Sequence, residues 1–201
     1  MKNSRIKKLT PLVETKFLSL YDAAYENKKG AERHWIIASR KNYTTLTEQF
    51  FKEKKENIDA VIIAAFHKET KSLVVIKQFR IPLNDYVYEL PAGLVDNNES
   101  IESAVKRELM EETGLELVEI NYEKTNKQVY VSAGMTDESV AMVFCTCTGM
   151  LSNKYLEEDE DIEAMLISQE DAKALLKEDI KMDIKVHMML QSFVSLGEAA
   201  F

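Results

Sequence analysis

Residues 93–115 read GLVDNNESIESAVKRELMEETGL and hold six acids, three of them inside R-E-L-M-E-E at 107–112. Ser100 has the chemistry of a helix N-cap and Gly114 that of the residue just past a helix end, so the spacing predicts a helix between them. Ile101, Ala104, Val105 and Leu109 form one stripe and face the core. Glu108, Glu111 and Glu112 stand at i, i+3 and i+4 and gather on another face. Three like charges so placed repel one another, and a surface built for stability alone would intersperse lysine. One reading is a solvated acidic helix face. The other is a divalent-metal site, because a compact group of carboxylate oxygens is what Mg²⁺ or Mn²⁺ prefers. Glu99 can approach the same group through the turn, Arg107 can pair with a carboxylate, and Gly93 is a loop position free of Cβ.

The full spacing weighs between them. Gly93, Glu99, Arg107, Glu108, Leu109, Glu111, Glu112, Gly114 and Leu115 follow G-x5-E-x7-R-E-U-x-E-E-x-G-U, with U aliphatic. This resembles the Nudix box at every defined position. The resemblance implies an α+β fold: a Nudix α/β/α sandwich with a mixed sheet, acting as a metal-dependent hydrolase of nucleoside diphosphates linked to another group. It also implies roles. Glu108 and Glu112 are the main metal ligands with Glu111 beside them, Glu99 and Arg107 support the site, and the Ala92 carbonyl is a further ligand.

Outward from the box, KQFRIPLNDYVYELPAG contains Gln78-Phe79-Arg80 and Glu89-Leu90-Pro91-Ala92-Gly93. These resemble the Q-[YF]-R and E-L-P-A-G segments of the ADP-ribose and nucleotide-sugar pyrophosphatase branch. In that branch Arg80 would contact the diphosphate or base, and Glu89 would bond a ribose or base, or brace the loop. Residues 132–139, SAGMTDES, resemble the branch's S-P-G-x-[ST]-[DSE]-E segment, but Ala133 stands where proline marks ADP-ribose specificity. UDP- and GDP-linked sugars therefore stay open as substrates. After the box, LEEDEDIEAMLIS has the placement of the branch's catalytic loop. Glu158 and Glu160 match its E-x-E-D-I pattern, with Glu111 the fallback general base; without that context the run reads as a solvated loop.

Residues 1–56 look different from the rest. Runs around residues 17–30 and 34–43 suggest short strands with a turn at residues 28–30, and 47–57 is a polar lead into the next unit. The resemblance implies a small β-unit that forms a homodimer, followed by the hydrolase domain over 57–201. Trp35, a base-stacking candidate or a core residue, and Arg40 lie in it. Residues 58–80 read as a hairpin turning at HKETKS, Ser168 with Asp171 forms a capping box, and Asp183 opens a last helix.

Composition excludes several classes. With 26 Lys and Arg against 34 Asp and Glu, a net charge of −8 disfavours nucleic acid as a partner. No run reaches the apolar length of a membrane helix, and the basic start lacks the apolar core of a secretory signal. Cys145 and Cys147 are too close in a strand for an unstrained disulfide, which fits a reducing cytoplasm. His34, His67 and His187 show no ligand spacing, and Met182, Met188 and Met189 suit a buried helix face. The expected activity is Mg²⁺-dependent (or Mn²⁺-dependent) hydrolysis of ADP-ribose or a related nucleoside diphosphate sugar. Triphosphate cleavage and a non-catalytic nucleotide-sugar sensor are the alternatives.

Overall fold

The computed structural model describes residues 5–52, 54 and 56–201. The basic start at 1–4, and residues 53 and 55 of the polar lead, lie outside them. The chain forms two compact units, one of residues 1–59 with 128–140, the other of 60–127 with 141–201.

The first unit carries an antiparallel sheet in the order β1 (Ile6–Glu14), β2 (Ser19–Glu26), β3 (Glu32–Ser39). The β2–β3 turn falls where glycine and asparagine chemistry put it. Gly30 has φ 77°, and the Asn27 side chain accepts from the backbone N–H of Lys29 and Ala31. Pro11 sits on β1, an edge strand, where its missing N–H is tolerated. A helix runs into the polar lead, α1 (Tyr43–Phe51), capped by the Asn42 side chain on Thr45 N–H. Its Leu46 is fully buried with Leu9, Tyr21 and Ala23, and Phe50 packs beside them. That apolar pair at i, i+4 accounts for a helix where the polar composition suggested a connection.

The second unit is built on a mixed sheet. Its path runs β11 (Ile162–Ile167), β5 (Ser72–Arg80), β4 (Ala60–His67), β10 (Ser139–Thr148), β8 (Glu116–Ile120). β6 (Asp85–Glu89) pairs with β5 and β7 (Ala92–Leu94) with β4, while β9 spans Asn126–Tyr130. The β4–β5 hairpin closes as expected, with Phe66 opposite Leu73 and His67 opposite Ser72. All eight residues of β4 are buried, so both of its faces are covered. Helix α2 (Ile101–Thr113) packs on β4, β7 and β8, and Phe193 of α4 (Ile184–Leu196) meets Phe66 edge-on at 6.3 Å. α3 (Gln169–Leu175) and α4 take the anticipated caps, Ser168 on Asp171 N–H and Asp183 on Lys185 N–H.

Cys145 and Cys147 are free and buried, with Ala141 and Val143 on the same strand face. The methionine expectation needs correction. Met189 is buried in α4, but Met188 is exposed and Met182 precedes the helix, bridging to Tyr88. The buried stripe of α4 runs through Val186, Met189, Leu190 and Phe193, and Met188 falls outside it.

Candidate active site

Helix α2 has the predicted ends. Ser100 Oγ accepts from Ser103 N–H at 3.1 Å, and Gly114 takes φ 74°. Ala104, Val105 and Leu109 are fully buried. The glutamates do not form a solvated face: Glu108 is 7 % exposed and Glu112 only 4 %. Carboxylates are rarely enclosed to that degree unless charge or metal compensates them.

Arg107 supplies part of that compensation. Its guanidinium donates to both oxygens of Glu99 (3.1 and 2.9 Å), to Glu108 Oε1 (2.6 Å), to Glu111 Oε2 (3.0 Å) and to the Leu94 carbonyl (2.9 Å). Glu99 also accepts the Asp96 N–H, and the Arg107 bond above all holds its carboxyl below the usual range. Glu112 lies apart from this cluster and accepts the Ala92 N–H at 3.0 Å. Burial pushes its carboxyl well up, against the Ala92 bond, and the charges of Glu108 and Glu160 push the same way. Glu108 is also raised by burial, with Arg107 opposing.

The loop before α2 is shaped around Glu108. β7 is fixed to β4 with Val61 opposite Gly93, and a Cβ on Gly93 would lie 1.9 Å from the Glu108 carboxylate. Only glycine leaves that carboxylate its place.

Arg80 and Glu89 meet each other. Arg80 donates from Nε and Nη2 to the two Glu89 oxygens at 2.6 and 2.7 Å, a bidentate pair. That pair holds the Arg80 charge firmly, and its field reaches Glu112. The acidic loop turns back on itself, with Glu157 N–H donating to Glu160 Oε2 at 2.9 Å. Glu158 is exposed and Glu160 half-buried.

The NUDIX domain family matches residues 56–186. The chain belongs to the NUDIX family. Among similar proteins, an uncharacterized Nudix hydrolase of Schizosaccharomyces pombe is 42% identical over 103 residues, covering 50% of this chain and 45% of that one. The chain thus spans about half the length of this relative. The ADP-ribose pyrophosphatase of Bacillus subtilis is 35% identical over 143 residues, 70% of this chain and 74% of that one. A solved structure described as an ADP compounds hydrolase shares the fold, with a TM-score of 0.66 over 98% of both chains at 16% identity.

The NUDIX box therefore brings together Glu99, Arg107, Glu108 and Glu111 around one guanidinium, with Glu112 and Ala92 joined alongside. Among the described residues no three Asp, Glu, His or Cys side chains stand grouped as a metal cage. Arg107 engages three of the four box glutamates. On donor chemistry the residues nevertheless fit a hard divalent cation. Two buried carboxylates four residues apart are hard oxygen donors; one stands away from the Arg107 guanidinium, and the other keeps its place because Gly93 has no Cβ. Glu108, Glu112, Glu111 and Glu99 could hold the ion with the Ala92 carbonyl.

Trp35 and Arg40 belong to the first unit. Trp35 is 55 % exposed, so it is no core residue, and its Nε1 donates to the Gly134 carbonyl at 3.2 Å. Arg40 donates to Glu138 Oε1 at 2.6 Å. Both tie the SAGMTDES segment to β3. The sequence reading passed over Lys41, which is nearly buried between Asp59 and Asp137, each 3.0 Å away. Burial opposes its charge, but the Asp137 and Asp59 bonds outweigh this and hold its pKa up. No motif flags such a triad, because its members are 18 and 96 residues from Lys41 and only the fold joins them. It anchors the same segment from the other side.

Proposed function

We propose that this NUDIX protein hydrolyses the diphosphate of ADP-ribose or a related nucleoside diphosphate sugar. The observation that carries the reading is the buried carboxylate pair, Glu108 and Glu112, beside the Gly93 cradle. The B. subtilis relative, an ADP-ribose pyrophosphatase, supports the substrate class. Water oxygen bonds to one phosphorus, the bridging P–O bond breaks, and a nucleoside monophosphate and a sugar phosphate leave. Mg²⁺, with Mn²⁺ as substitute, would be held by Glu108 and Glu112 with Glu111, Glu99 and the Ala92 carbonyl. When bound it neutralises the diphosphate and acidifies water.

The chain's own groups do the rest. Arg107 holds Glu99, Glu108 and Glu111 in place. Arg80, braced by Glu89, presents a fixed cation to the diphosphate. Glu160 takes the proton of the attacking water, with Glu158 as second candidate and Glu111 behind them. The field of Glu160 at both Glu108 and Glu112 supports the first choice. The N-terminal β-unit of residues 1–56 dimerises and lends Trp35 and Arg40 to the partner's substrate, while residues 57–201 carry the hydrolysis. No helix among the described residues is long and apolar enough to cross a membrane; the free cysteines favour the cytoplasm.

A substrate panel tests the reading: ADP-ribose, UDP- and GDP-sugars and nucleoside triphosphates, each with Mg²⁺ or Mn²⁺, products resolved by chromatography. The expected result is ADP-ribose giving AMP and ribose 5-phosphate with the highest kcat/KM. Preference for ATP or dGTP sinks the proposal. Because Ala133 replaces the specificity proline, a UDP- or GDP-sugar is the second reading, and exclusive turnover of one of these selects it. No turnover of any compound that binds would indicate a sensor.

A further inference from the structure

We infer that Tyr86 is a positioning residue that latches the acidic loop through Asp161, an inference resting on the proposed role of that loop. Asp161 is the last residue before β11, whose ladder on β5 begins with Ile162 opposite Gln78. Two bonds fasten it. Phe79 N–H donates to its carbonyl at 3.1 Å, and the Tyr86 hydroxyl donates to its Oδ2 at 2.6 Å. The tyrosine is itself held. It lies opposite Phe79 in the β5–β6 register, their rings meet edge-on at 5.4 Å, and the Lys77 ammonium stands 5.2 Å from its ring centre.

In the segment before Asp161 the hydrogen bonds are local. Glu160 N–H reaches the Glu157 carbonyl, Glu157 N–H reaches Glu160 Oε2, and Leu156 N–H reaches the Asn153 carbonyl. Such a turn has internal shape but takes its place in the unit from its ends. Glu160 is one peptide from the latched carboxylate. A hydroxyl–carboxylate bond of this length is strong and directional, and it sets the backbone angle at which Glu160 leaves the strand. The Tyr86 ring is partly exposed and its hydroxyl has no part in the core. Its removal therefore leaves the sheet and the Phe79–Asp161 backbone bond intact and loosens only the side-chain hold on the loop.

The test compares Tyr86→Phe, Asp161→Ala, their double variant and Asp161→Asn with Glu158→Gln, Glu160→Gln and the double glutamate variant. Readouts are kcat and KM for the best panel substrate, and amide hydrogen exchange at residues 156–161. Tyr86→Phe and Asp161→Ala are expected to speed exchange there and lower kcat about 10-fold with KM little changed. The double variant should be no worse than either alone, since the residues act as one unit. Asp161→Asn, whose side-chain carbonyl still accepts the hydroxyl, should recover most of kcat. If a glutamate variant loses activity while Tyr86→Phe keeps wild-type kcat and exchange, the latch alone is overturned. If the glutamate variants and their double all retain kcat, the catalytic role of the loop fails and the positioning role falls with it.

Discussion

Glu112 shows what a single carboxylate can reveal. Its burial favours the protonated form, so the folded protein binds a proton there that the unfolded chain has released above pH about 4.3. The sign follows. This group's contribution is fully present below the unfolded pKa and is lost as pH rises toward the raised folded value. In chelator, Glu112→Gln is therefore expected to be more stable than wild type at pH 8, with the difference vanishing near pH 4. The Gln side chain still accepts the Ala92 N–H. Tm should rise by about 2–4 °C for each kcal/mol of charge burial relieved. Millimolar Mg²⁺ should stabilise wild type more than the variant, because only wild type offers the carboxylate. Thermal melts at the two pH values, with and without Mg²⁺, check this; equal melts throughout would remove Glu112 from the ion site. In turnover, Glu112→Gln and Glu108→Gln should each lose about 10²-fold or more while remaining folded.

At the scale of the element, the two glycines that bracket the box serve different ends. The atoms nearest a Cβ on Gly93 are the flexible end of Glu108, at 1.9–2.2 Å. Gly93→Ala should therefore fold with near-normal Tm but lose activity, since the Glu108 carboxylate must leave its cradle. Gly114 has φ 74°, and a Cβ there would lie 2.6 Å from Ser152 Cβ and 2.8 Å from the Ser152 backbone nitrogen. Strain and a clash with backbone coincide, so Gly114→Ala should destabilise by about 1–3 kcal/mol. Denaturant unfolding beside steady-state kinetics separates the two cases. A strongly destabilised Gly93→Ala would make that glycine structural. The acidic loop before β11 is the other element with a distinct expectation. Glu160→Gln should lower kcat by about 10²–10⁴-fold with little change in KM, the range for a general base, and Glu158→Gln should do less. If neither does so, Glu111 inherits the assignment.

On the scale of the molecule, the first unit is thin. Its core holds Leu9, Tyr21, Ala23 and Leu46, while Leu12, Val13, Phe17, Leu18, Trp35 and Ile36 are each about half exposed or more. Apolar side chains left exposed on one small unit are the ground for expecting a partner there. A homodimer of twice 23.0 kDa is the expected species in sedimentation at micromolar concentration. Replacing Val13 and Ile36 together with glutamate should shift it toward monomer. A fully active 23.0 kDa monomer would contradict the assembly and any site shared between chains.

The box helix, its two caps, the β4–β5 hairpin and the family were legible in the chain because each depends on residues within a few positions of one another. Ser100 caps its own helix, and Gly114 ends it by its own φ. The spacing of Glu108, Glu111 and Glu112 is a property of helical pitch. The same local rules missed α1, because Leu46 and Phe50 are held by Tyr21 and its neighbours across the first unit. They also misplaced Met188. Nor could they foresee that Arg80 and Glu89 would close on each other, or that Lys41 would join Asp59 to Asp137. Those pairings are made where the chain turns back on itself, and distance along the sequence says little about which side chains then meet. Which residues carry charge was settled by the sequence; which charges meet, and how deeply they are buried, only the tertiary structure decided.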